Sequence, residues 1–208
     1  MAQYDDFLYD DFPFADTHPD RLATIASLFG MTPARPERCR LLELGCGMGR
    51  TATHFGDHFG RVDAVDVSAR MVERARGLCM PQNVHFHVSD GTTLQPFENG
   101  SMDAVFSFLV LQHVPSEQVL RGLMHEIARV LAQGGRAALQ FDTRPASLLG
   151  DLYKAVPDPL LPRKHRRYMR RYRRDPRGVR GWITEAGLVI VKERDPATDT
   201  HFFVVSKP

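Results

Sequence analysis

An apolar run that ends in three closely spaced glycines is the feature that most restricts how this chain can fold. Residues 41–50 read LLELGCGMGR, so a strand-like segment delivers one acidic residue, Glu43, and then a turn that opens a helix. Gly45, Gly47 and Gly49 have no side chains, so the backbone can turn sharply there and approach a ligand closely. Such turns also occur only for tight packing. The segment therefore predicts a βα unit of the kind that binds nucleotide-like cofactors.

Strand-like and helix-like stretches alternate through the first 140 residues. Apolar runs predict strands at 40–44, 61–66, 84–88, 103–108 and 136–141, and amphipathic stretches predict helices at 49–59, 68–79 and 116–131. Repeated βαβ units joined by right-handed crossovers form a parallel sheet with helices on both faces. The chain is therefore predicted to be an α/β protein with a doubly wound sheet.

The two ends of the chain follow a different pattern. Thr17, with Pro19 after it, resembles a helix N-cap and predicts a helix that ends at Gly30. Beyond residue 141 we expect a helix at 146–155, a proline-rich break, a basic stretch and a helix at 176–186. Two final runs, at 188–193 and 201–205, are separated by a turn-like Asp-Pro-Ala-Thr-Asp and predict a β-hairpin.

These patterns suggest one domain with four parts. We assign residues 1–38 to an N-terminal lid and helix, 39–141 to the cofactor-binding core, 142–187 to a substrate cap and 188–208 to the C-terminal hairpin. A chain of 208 residues fits one compact domain and can bury a substantial core.

Composition excludes several classes of protein. The acidic N-terminus does not resemble a signal peptide, and no apolar run approaches the ~18 residues that a membrane span needs. Cys39, Cys46 and Cys79 lack the spacing of a zinc site or a disulfide framework, and Asp142 alone is a poor metal ligand, so no metal is predicted. We expect a cytoplasmic protein without a transmembrane segment, and its oligomeric state stays open.

A carboxylate follows the glycine turn at the spacing that a ribose requires. Asp66 ends the second predicted strand, 21 residues after Gly45. There a carboxylate can accept hydrogen bonds from both ribose hydroxyls, although it could instead cap the next helix. A dinucleotide would use the same crevice, but its Gly-x-Gly-x-x-Gly fingerprint does not fit, because position 50 is Arg and the third glycine comes one residue early.

Four motifs follow one another within residues 39–141: ELGCGMG, VDAVDVSARMVERAR, SDGTTLQPFENGSMDAVFSFLVLQHV and ARVLAQGGRAALQF. In this order they resemble the motifs of the class I S-adenosylmethionine-dependent methyltransferases, of the bacterial small-molecule type. The resemblance implies a Rossmann-like, mostly parallel seven-stranded sheet with an antiparallel C-terminal hairpin. It also implies S-adenosylmethionine as the cofactor and transfer of its methyl group to a small-molecule acceptor, leaving S-adenosylhomocysteine.

The resemblance also implies which residues contact the cofactor. Glu43 and the glycine loop, Cys46 included, are expected to hold the methionine portion, and Asp66 the ribose. Asp90 and Gly91 are expected at the amino edge of the adenine, and turn capping is the alternative role of Asp90. The remaining expected contacts are Val67, Met71 and Leu109. For Met71, the core of a helix is an equal alternative.

The acceptor side requires fewer catalytic groups. A sulfonium methyl is already electrophilic, so holding the acceptor atom in line at about 3 to 3.5 Å can supply most of the catalysis. A base is needed only if the acceptor loses a proton. His113, beyond the fourth strand, is the candidate catalytic base, with anchoring of the next helix at Pro115 as the alternative. Further candidate substrate contacts are His18, Gln112 and Tyr168, and Gln112 could equally contact the backbone.

A strongly basic stretch follows the fifth strand. Nine Arg and one Lys lie between residues 163 and 180, whereas the first twenty residues hold six Asp and no Lys or Arg. The stretch could be a solvated face neutralised by the acidic N-terminus, could attract an anionic substrate or lipid, or could contact nucleic acid through phosphates and base stacking on Tyr168 and Tyr172.

The alternative function is therefore a nucleic-acid or anionic-surface binding protein that uses the same fold without catalysis. We favour an enzyme acting on a small molecule. The chain has neither the Asn/Asp-Pro-Pro-Tyr/Phe motif typical of base-amino methyltransferases nor a Pro-Cys nucleophile motif.

Overall fold

A mixed β-sheet forms the centre of the computed structural model, which describes residues 38–78, 81–145 and 171–208. Its strands are β1 Arg40–Leu44, β2 Arg61–Asp66, β3 Val84–Val88, β4 Met102–Ser107, β5 Leu131–Phe141, β6 Val189–Arg194 and β7 His201–Ser206. The described helices are α1 Arg50–Gly56, α2 Ala69–Arg76, α3 Glu117–Val130 and α4 Pro176–Glu185, with a 3-10 turn at Leu111–His113.

The order of strands in the sheet is β3-β2-β1-β4-β5-β7-β6. Strands β1 to β5 are parallel to one another, and β7 runs antiparallel between β5 and β6. The predicted doubly wound α/β fold with seven strands and an antiparallel C-terminal hairpin is confirmed. The order reverses between β1 and β4, and this reversal opens a crevice at the carboxyl ends of these two strands.

Most predicted boundaries agree with the structure within a residue or two. The main exception is β5, which begins at Leu131 directly after α3, five residues before the predicted start. Helix α1 ends at Gly56, before the predicted end at residue 59, because the side-chain amide of Asn83 donates to the carbonyls of Gly56 and Phe59, each at 2.8 Å. The helices predicted at 17–29 and 146–155 lie outside the described residues.

Helix starts follow the capping preferences of the sequence. The hydroxyl of Ser68 accepts the backbone N–H of Met71 at the start of α2, and the hydroxyl of Ser116 caps α3 in the same way. Asp175 caps α4, which has a proline in its first turn. Helix α1 differs, because it begins at Gly49 in a left-handed conformation and has no side-chain cap.

Each face of the sheet has its own apolar core. Helices α1 and α2 cover one face with residues such as Phe55 and Val72, and α3 and α4 cover the other with residues such as Leu120 and Ile183. This two-sided cover explains why the central strands are nearly continuous apolar runs. Among the described helices, none has the length and apolar character that crossing a bilayer would demand.

One buried charge lies within this sheet. Asp63 on β2 is fully buried and accepts hydrogen bonds from His87 at 2.9 Å, from Arg61 at 2.8 Å and from Arg40 at 3.1 Å. Burial alone would raise the pKa of Asp63, but these hydrogen bonds outweigh it and hold the pKa well below its usual range. The carboxylate is therefore a stabilising ion-pair centre at neutral pH.

Candidate functional site

A cavity of about 480 Å³ opens at the crevice between β1 and β4. Its walls come from the carboxyl ends of β1 and β2 and from the loops that follow β3 and β4. Its size lies within the roughly 300–1,000 Å³ of small-molecule sites. The expected cofactor contacts that line it are Glu43, Gly45, Cys46, Gly47, Asp66, Val67, Asp90, Gly91 and Leu109.

The glycine loop forms one wall of the cavity. The N–H groups of Gly45 and Cys46 both donate to the carbonyl of Val65, at 2.7 and 3.0 Å, which ties the loop to the end of β2. Gly45 has a φ of 73°, and a Cβ atom there would lie 2.1 Å from a methyl carbon of Val110. Gly47 has a φ of 53°, and a Cβ atom there would meet nothing within 4 Å. Packing thus requires glycine at position 45, whereas glycine at position 47 leaves open space among the described residues.

Asp66 connects the glycine loop to the start of α2. One carboxylate oxygen accepts the N–H of Gly47 at 2.8 Å, and the other accepts the N–H of Ser68 at 2.9 Å. A carboxylate has about four lone-pair sites, so it can accept more than two hydrogen bonds. The loop geometry depends on this side chain whether or not a ligand is present.

Glu43 lies beneath the loop and is almost completely buried. Burial, then the nearby charge of Asp66, raises the pKa of Glu43 to about 8, against smaller opposing hydrogen bonds from Thr51 and Ala52. Its Oε2 atom is buried and has no hydrogen-bond partner within the described part of the chain. A buried polar atom without a partner is costly, so this oxygen marks a position where a donor from a ligand would be favourable.

The opposite end of the cavity is formed by the loop after β3. The carboxylate of Asp90 accepts the N–H groups of Thr92 and Thr93, each at 2.7 Å, and these bonds hold the pKa of Asp90 below its ordinary value. Asp90 therefore caps this turn, as its alternative interpretation expected, and it also lines the cavity. Gly91 has a φ of 75°, and a Cβ atom there would lie 2.8 Å from a methyl carbon of Val67.

The segment after β4 forms the cavity wall that contains the candidate base, His113. Leu109, in the same segment, also lines the cavity. Gln112 is fully buried and lies behind this wall, outside the cavity lining. Its Nε2 atom is 3.3 Å from the Nε2 atom of His113, and its backbone carbonyl accepts the N–H of Tyr172 at 2.7 Å. These contacts correspond to the backbone alternative for Gln112.

Two expected cofactor contacts are not part of the cavity lining. Gly49 serves instead as the left-handed start of α1, with a φ of 81°. Met71 has its buried side chain on α2, which is the helix-core alternative. His18 and Tyr168 lie outside the described residues. Lining residues that the sequence analysis missed include Arg50, Thr51, Leu94, Phe108, Val119 and Leu123. The one sequence signal that could have identified most of them is their position close to a predicted strand end or near the start of a predicted helix.

The described part of the basic stretch is engaged within the protein. Arg174 is buried, donates to the carbonyls of Val114 and Pro115 at 2.6 and 3.0 Å, and lies over the ring of Tyr172. Arg171 pairs with an aspartate and Arg180 with a glutamate, both elsewhere in the chain. These arginines attach α4 and the segment before it to the cavity wall and to the C-terminal hairpin, which the interpretation of a solvated face neutralised by the acidic N-terminus did not anticipate.

Comparison with known proteins places this geometry in a family. A family model described as "Methyltransferase domain" matches residues 42–139. The chain is 37% identical over 115 residues to the biotin biosynthesis bifunctional protein BioHC of Cellvibrio japonicus (strain Ueda107), an alignment that covers 54% of this chain and 21% of that protein. It is 28% identical over 149 residues to a demethylmenaquinone methyltransferase of Tropheryma whipplei (strain Twist), covering 71% of this chain and 58% of that protein. The chain thus spans from about a fifth to three-fifths of the length of these curated relatives.

Solved structures share the same architecture. The magnesium protoporphyrin IX methyltransferase of Synechocystis PCC 6803, solved with bound SAH, matches with a TM-score of 0.66 at 20% identity, covering 91% of this chain and 83% of that one. The matched family model runs from β1 into β5, and the crevice and the glycine loop both lie within it. Over residues 42–139 the chain is therefore similar to the class I S-adenosylmethionine-dependent methyltransferases, and it has their fold.

Proposed function

We propose that this protein transfers the methyl group of S-adenosylmethionine to a small-molecule acceptor. The observation that carries the proposal is the loop between β1 and α1. Asp66 holds its backbone in place, and beneath it lies the buried Glu43 oxygen, which has no hydrogen-bond partner in the described part of the chain. A cofactor with a cationic amino group and two ribose hydroxyls supplies the donors that these two carboxylates can accept.

The residues present fit this cofactor along the length of the cavity. Glu43 and the N–H groups of the loop are suited to the methionine portion, and Asp66 to the ribose. Val67 and Leu109 offer apolar surface for the adenine between them. Gly91 has no room for a side chain against Val67, so the cavity wall there stays close to the backbone.

The bound cofactor supplies an electrophilic sulfonium methyl, which requires only a well-positioned nucleophile. The chain's own contribution is to hold the cofactor, to orient the acceptor and to exclude water. His113 lines the same cavity and is the side chain that we propose contacts the acceptor. Among the described residues, no group of three or more metal-ligating side chains is found.

A small molecule is favoured over nucleic acid as the acceptor. The described arginines at 171, 174 and 180 are engaged in contacts within the chain, so they offer little free charge for phosphates. The relatives' names, demethylmenaquinone methyltransferase and magnesium protoporphyrin IX methyltransferase, refer to small molecules.

Calorimetry tests the cofactor assignment. We expect S-adenosylmethionine and S-adenosylhomocysteine to bind the wild-type chain, and Asp66→Asn to weaken binding by at least tenfold. The substitution adds a donor where the ribose needs an acceptor, at a cost of about 1.5–3 kcal/mol for a charged hydrogen bond. Asp57→Asn, at an exposed position after α1, is the matched control and should bind like the wild type. Unchanged affinity in Asp66→Asn would remove the basis for the ribose assignment.

A radiolabel assay tests the acceptor class. S-adenosylmethionine with a tritiated methyl group is incubated with demethylmenaquinone, magnesium protoporphyrin IX, a simple phenol, a carboxylic acid and a short duplex RNA. We expect incorporation into one of the small molecules. Incorporation into the RNA alone would overturn the small-molecule proposal while leaving methyl transfer intact.

A further inference from the structure

Two buried glutamines form a continuous hydrogen-bonded chain behind His113. Gln112 and Gln140 are both fully buried, on different elements, and neither side chain lines the cavity. A primary amide is expensive to bury unless its donors and acceptor are satisfied. The partners of these two amides therefore determine which way each one points.

The orientation of Gln140 is fixed by two backbone groups. The N–H of Leu109 donates to its Oε1 atom at 2.7 Å, and its Nε2 atom donates to the carbonyl of Asp199. A backbone N–H can only donate and a carbonyl can only accept, so the oxygen and nitrogen of Gln140 cannot be exchanged without losing both bonds. The amide is thus held from both sides.

Leu109 adopts an unusual backbone conformation where it makes this bond. Its φ is 60°, in the left-handed region that costs a residue with a side chain about 1–2 kcal/mol. The bond to a buried acceptor helps to offset that cost. Because Leu109 also lines the cavity, the same residue joins the cavity wall to the glutamine chain.

The orientation of Gln112 follows from that of Gln140. The Nε2 of Gln140 donates to the Oε1 of Gln112 at 3.2 Å, so the amide nitrogen of Gln112 is the atom 3.3 Å from the Nε2 of His113. An amide nitrogen carries two hydrogens and cannot accept. The Nε2 of His113 must therefore be the acceptor, and the neutral ring carries its proton on Nδ1.

We propose that Gln140 and Gln112 are positioning residues that hold His113 as its neutral, Nδ1-protonated tautomer, so that its Nε2 atom does not act as a general base. The assignment of an acceptor to His113 rests on the proposed function, whereas the tautomer does not. A proton on Nε2 would place two donors opposite each other, and Gln112 cannot turn its oxygen toward His113 without breaking its bond with Gln140. The lone pair that a base would use at Nε2 is therefore already engaged.

Nitrogen NMR of the full chain with labelled histidine reads the tautomer directly. In the wild type at pH 7.5 we expect the Nε2 of His113 to resonate in the unprotonated range and Nδ1 in the protonated range. His113→Asn identifies the resonances by their loss. His125, which is exposed on α3, provides an internal reference that no variant should shift.

Gln112→Glu should reverse the donor and acceptor roles in the hydrogen bond between residues 112 and 113. A carboxylate can still accept from Gln140 but can only accept from His113, so the Nε2 resonance should move into the protonated range. Gln118→Glu, an exposed change of the same type on α3, should leave His113 as in the wild type. Gln140→Met removes the anchor behind Gln112 and should give a mixture of the two tautomers.

The outcomes separate this inference from the proposed function. A protonated Nε2 in the wild type, or an unchanged His113 spectrum in a folded Gln112→Glu protein, would overturn the inference. If the variant fails to fold, the wild-type spectrum by itself tests the inference. Binding of S-adenosylhomocysteine by calorimetry is measured on the same samples, so loss of cofactor binding with the expected tautomer would count against the proposed function only.

Discussion

Gly45 and Gly47 lie two residues apart in the same loop, yet the structure predicts different consequences for the same substitution. Both have positive φ, at 73° and 53°, so alanine is strained at either position. At Gly45 the new Cβ would lie 2.1 Å from one methyl carbon of Val110 and 2.8 Å from the other. At Gly47 it would project into space that the cofactor is proposed to occupy.

The magnitudes follow from these two terms. The left-handed backbone costs alanine about 1–2 kcal/mol at both positions. At Gly45 the methyl group must also displace Val110, whose branched side chain has few alternative rotamers, and overpacking of this kind costs about 1–3 kcal/mol more. We therefore expect Gly45→Ala to lower the free energy of unfolding by about 2–5 kcal/mol. Gly47→Ala should lose about 1–2 kcal/mol of stability and most of its cofactor affinity.

Urea denaturation and calorimetry with S-adenosylhomocysteine measure the two effects separately. Val110→Ala removes the methyl groups that collide with the new Cβ. Adding Gly45→Ala to the Val110→Ala protein should therefore cost less stability than adding it to the wild type. If Gly45→Ala is no less stable than Gly47→Ala, or if Val110→Ala does not relieve it, the packing argument is wrong. If Gly47→Ala binds the cofactor like the wild type, the loop is not the cofactor cradle.

Three further predictions concern charged groups. Since burial and Asp66 raise the pKa of Glu43 to about 8, Glu43 is protonated at pH 7 and should release its proton when a cationic amino group binds beside it. Calorimetry in phosphate and Tris buffers should detect that proton in the wild type and not in Glu43→Gln, and a buffer-independent wild-type enthalpy would contradict the assignment. Arg129→Met should cost about 2 kcal/mol in urea denaturation, because this guanidinium on α3 donates to the Phe97 carbonyl and the Asn99 side chain in the loop after β3. Arg121→Met removes an exposed ion pair and should cost less than about 1 kcal/mol, so equal losses would refute this difference. Asp63 has a folded-state pKa below its ordinary 3.8, so its contribution is complete above about pH 4 and is lost as the pH falls further. Asp63→Asn should flatten the decline of the urea midpoint between pH 4 and 2, and a decline as steep as in the wild type would exclude Asp63 as its source.

The sheet could be predicted from the sequence because its central strands are buried on both faces. Residues 41–44 are apolar apart from Glu43 and residues 62–65 apart from Asp63, and these segments are followed by a glycine turn and by Asp66. The early start of β5 could not be predicted. Residues 131–135 include two glycines and a glutamine, and only pairing with β4 and the backbone bonds of Gly134 and Gly135 to Lys207 make this segment a strand.

The candidate site was predictable where backbone conformation determines it and less so where side chains pack. The glycine loop and Asp66 are local features, so their spacing was sufficient. Met71 was assigned from the family resemblance and Gln112 from its position beyond the fourth strand, but the sequence does not say whether a side chain there points into the cavity or into the core. Arg174 shows the same limit. A run of arginines predicts a solvated face, and the sequence does not reveal that Arg174 donates to the carbonyls of Val114 and Pro115.

The electrostatics of the cavity add a reason, independent of glycine spacing, to prefer a cationic cofactor over a dinucleotide. Glu43 is buried beneath the loop where a pyrophosphate would lie, and its Oε2 atom has no hydrogen-bond partner among the described residues. An anionic ligand would keep Glu43 protonated and gain at most a hydrogen bond from it, whereas a cationic ligand gains an ion pair on release of the proton. Asp66 adds a second carboxylate to the same wall, and both of its oxygens already organise the loop. The carboxyl groups of Glu43 and Asp66, which lie beneath and beside the loop, therefore favour a positively charged ligand there.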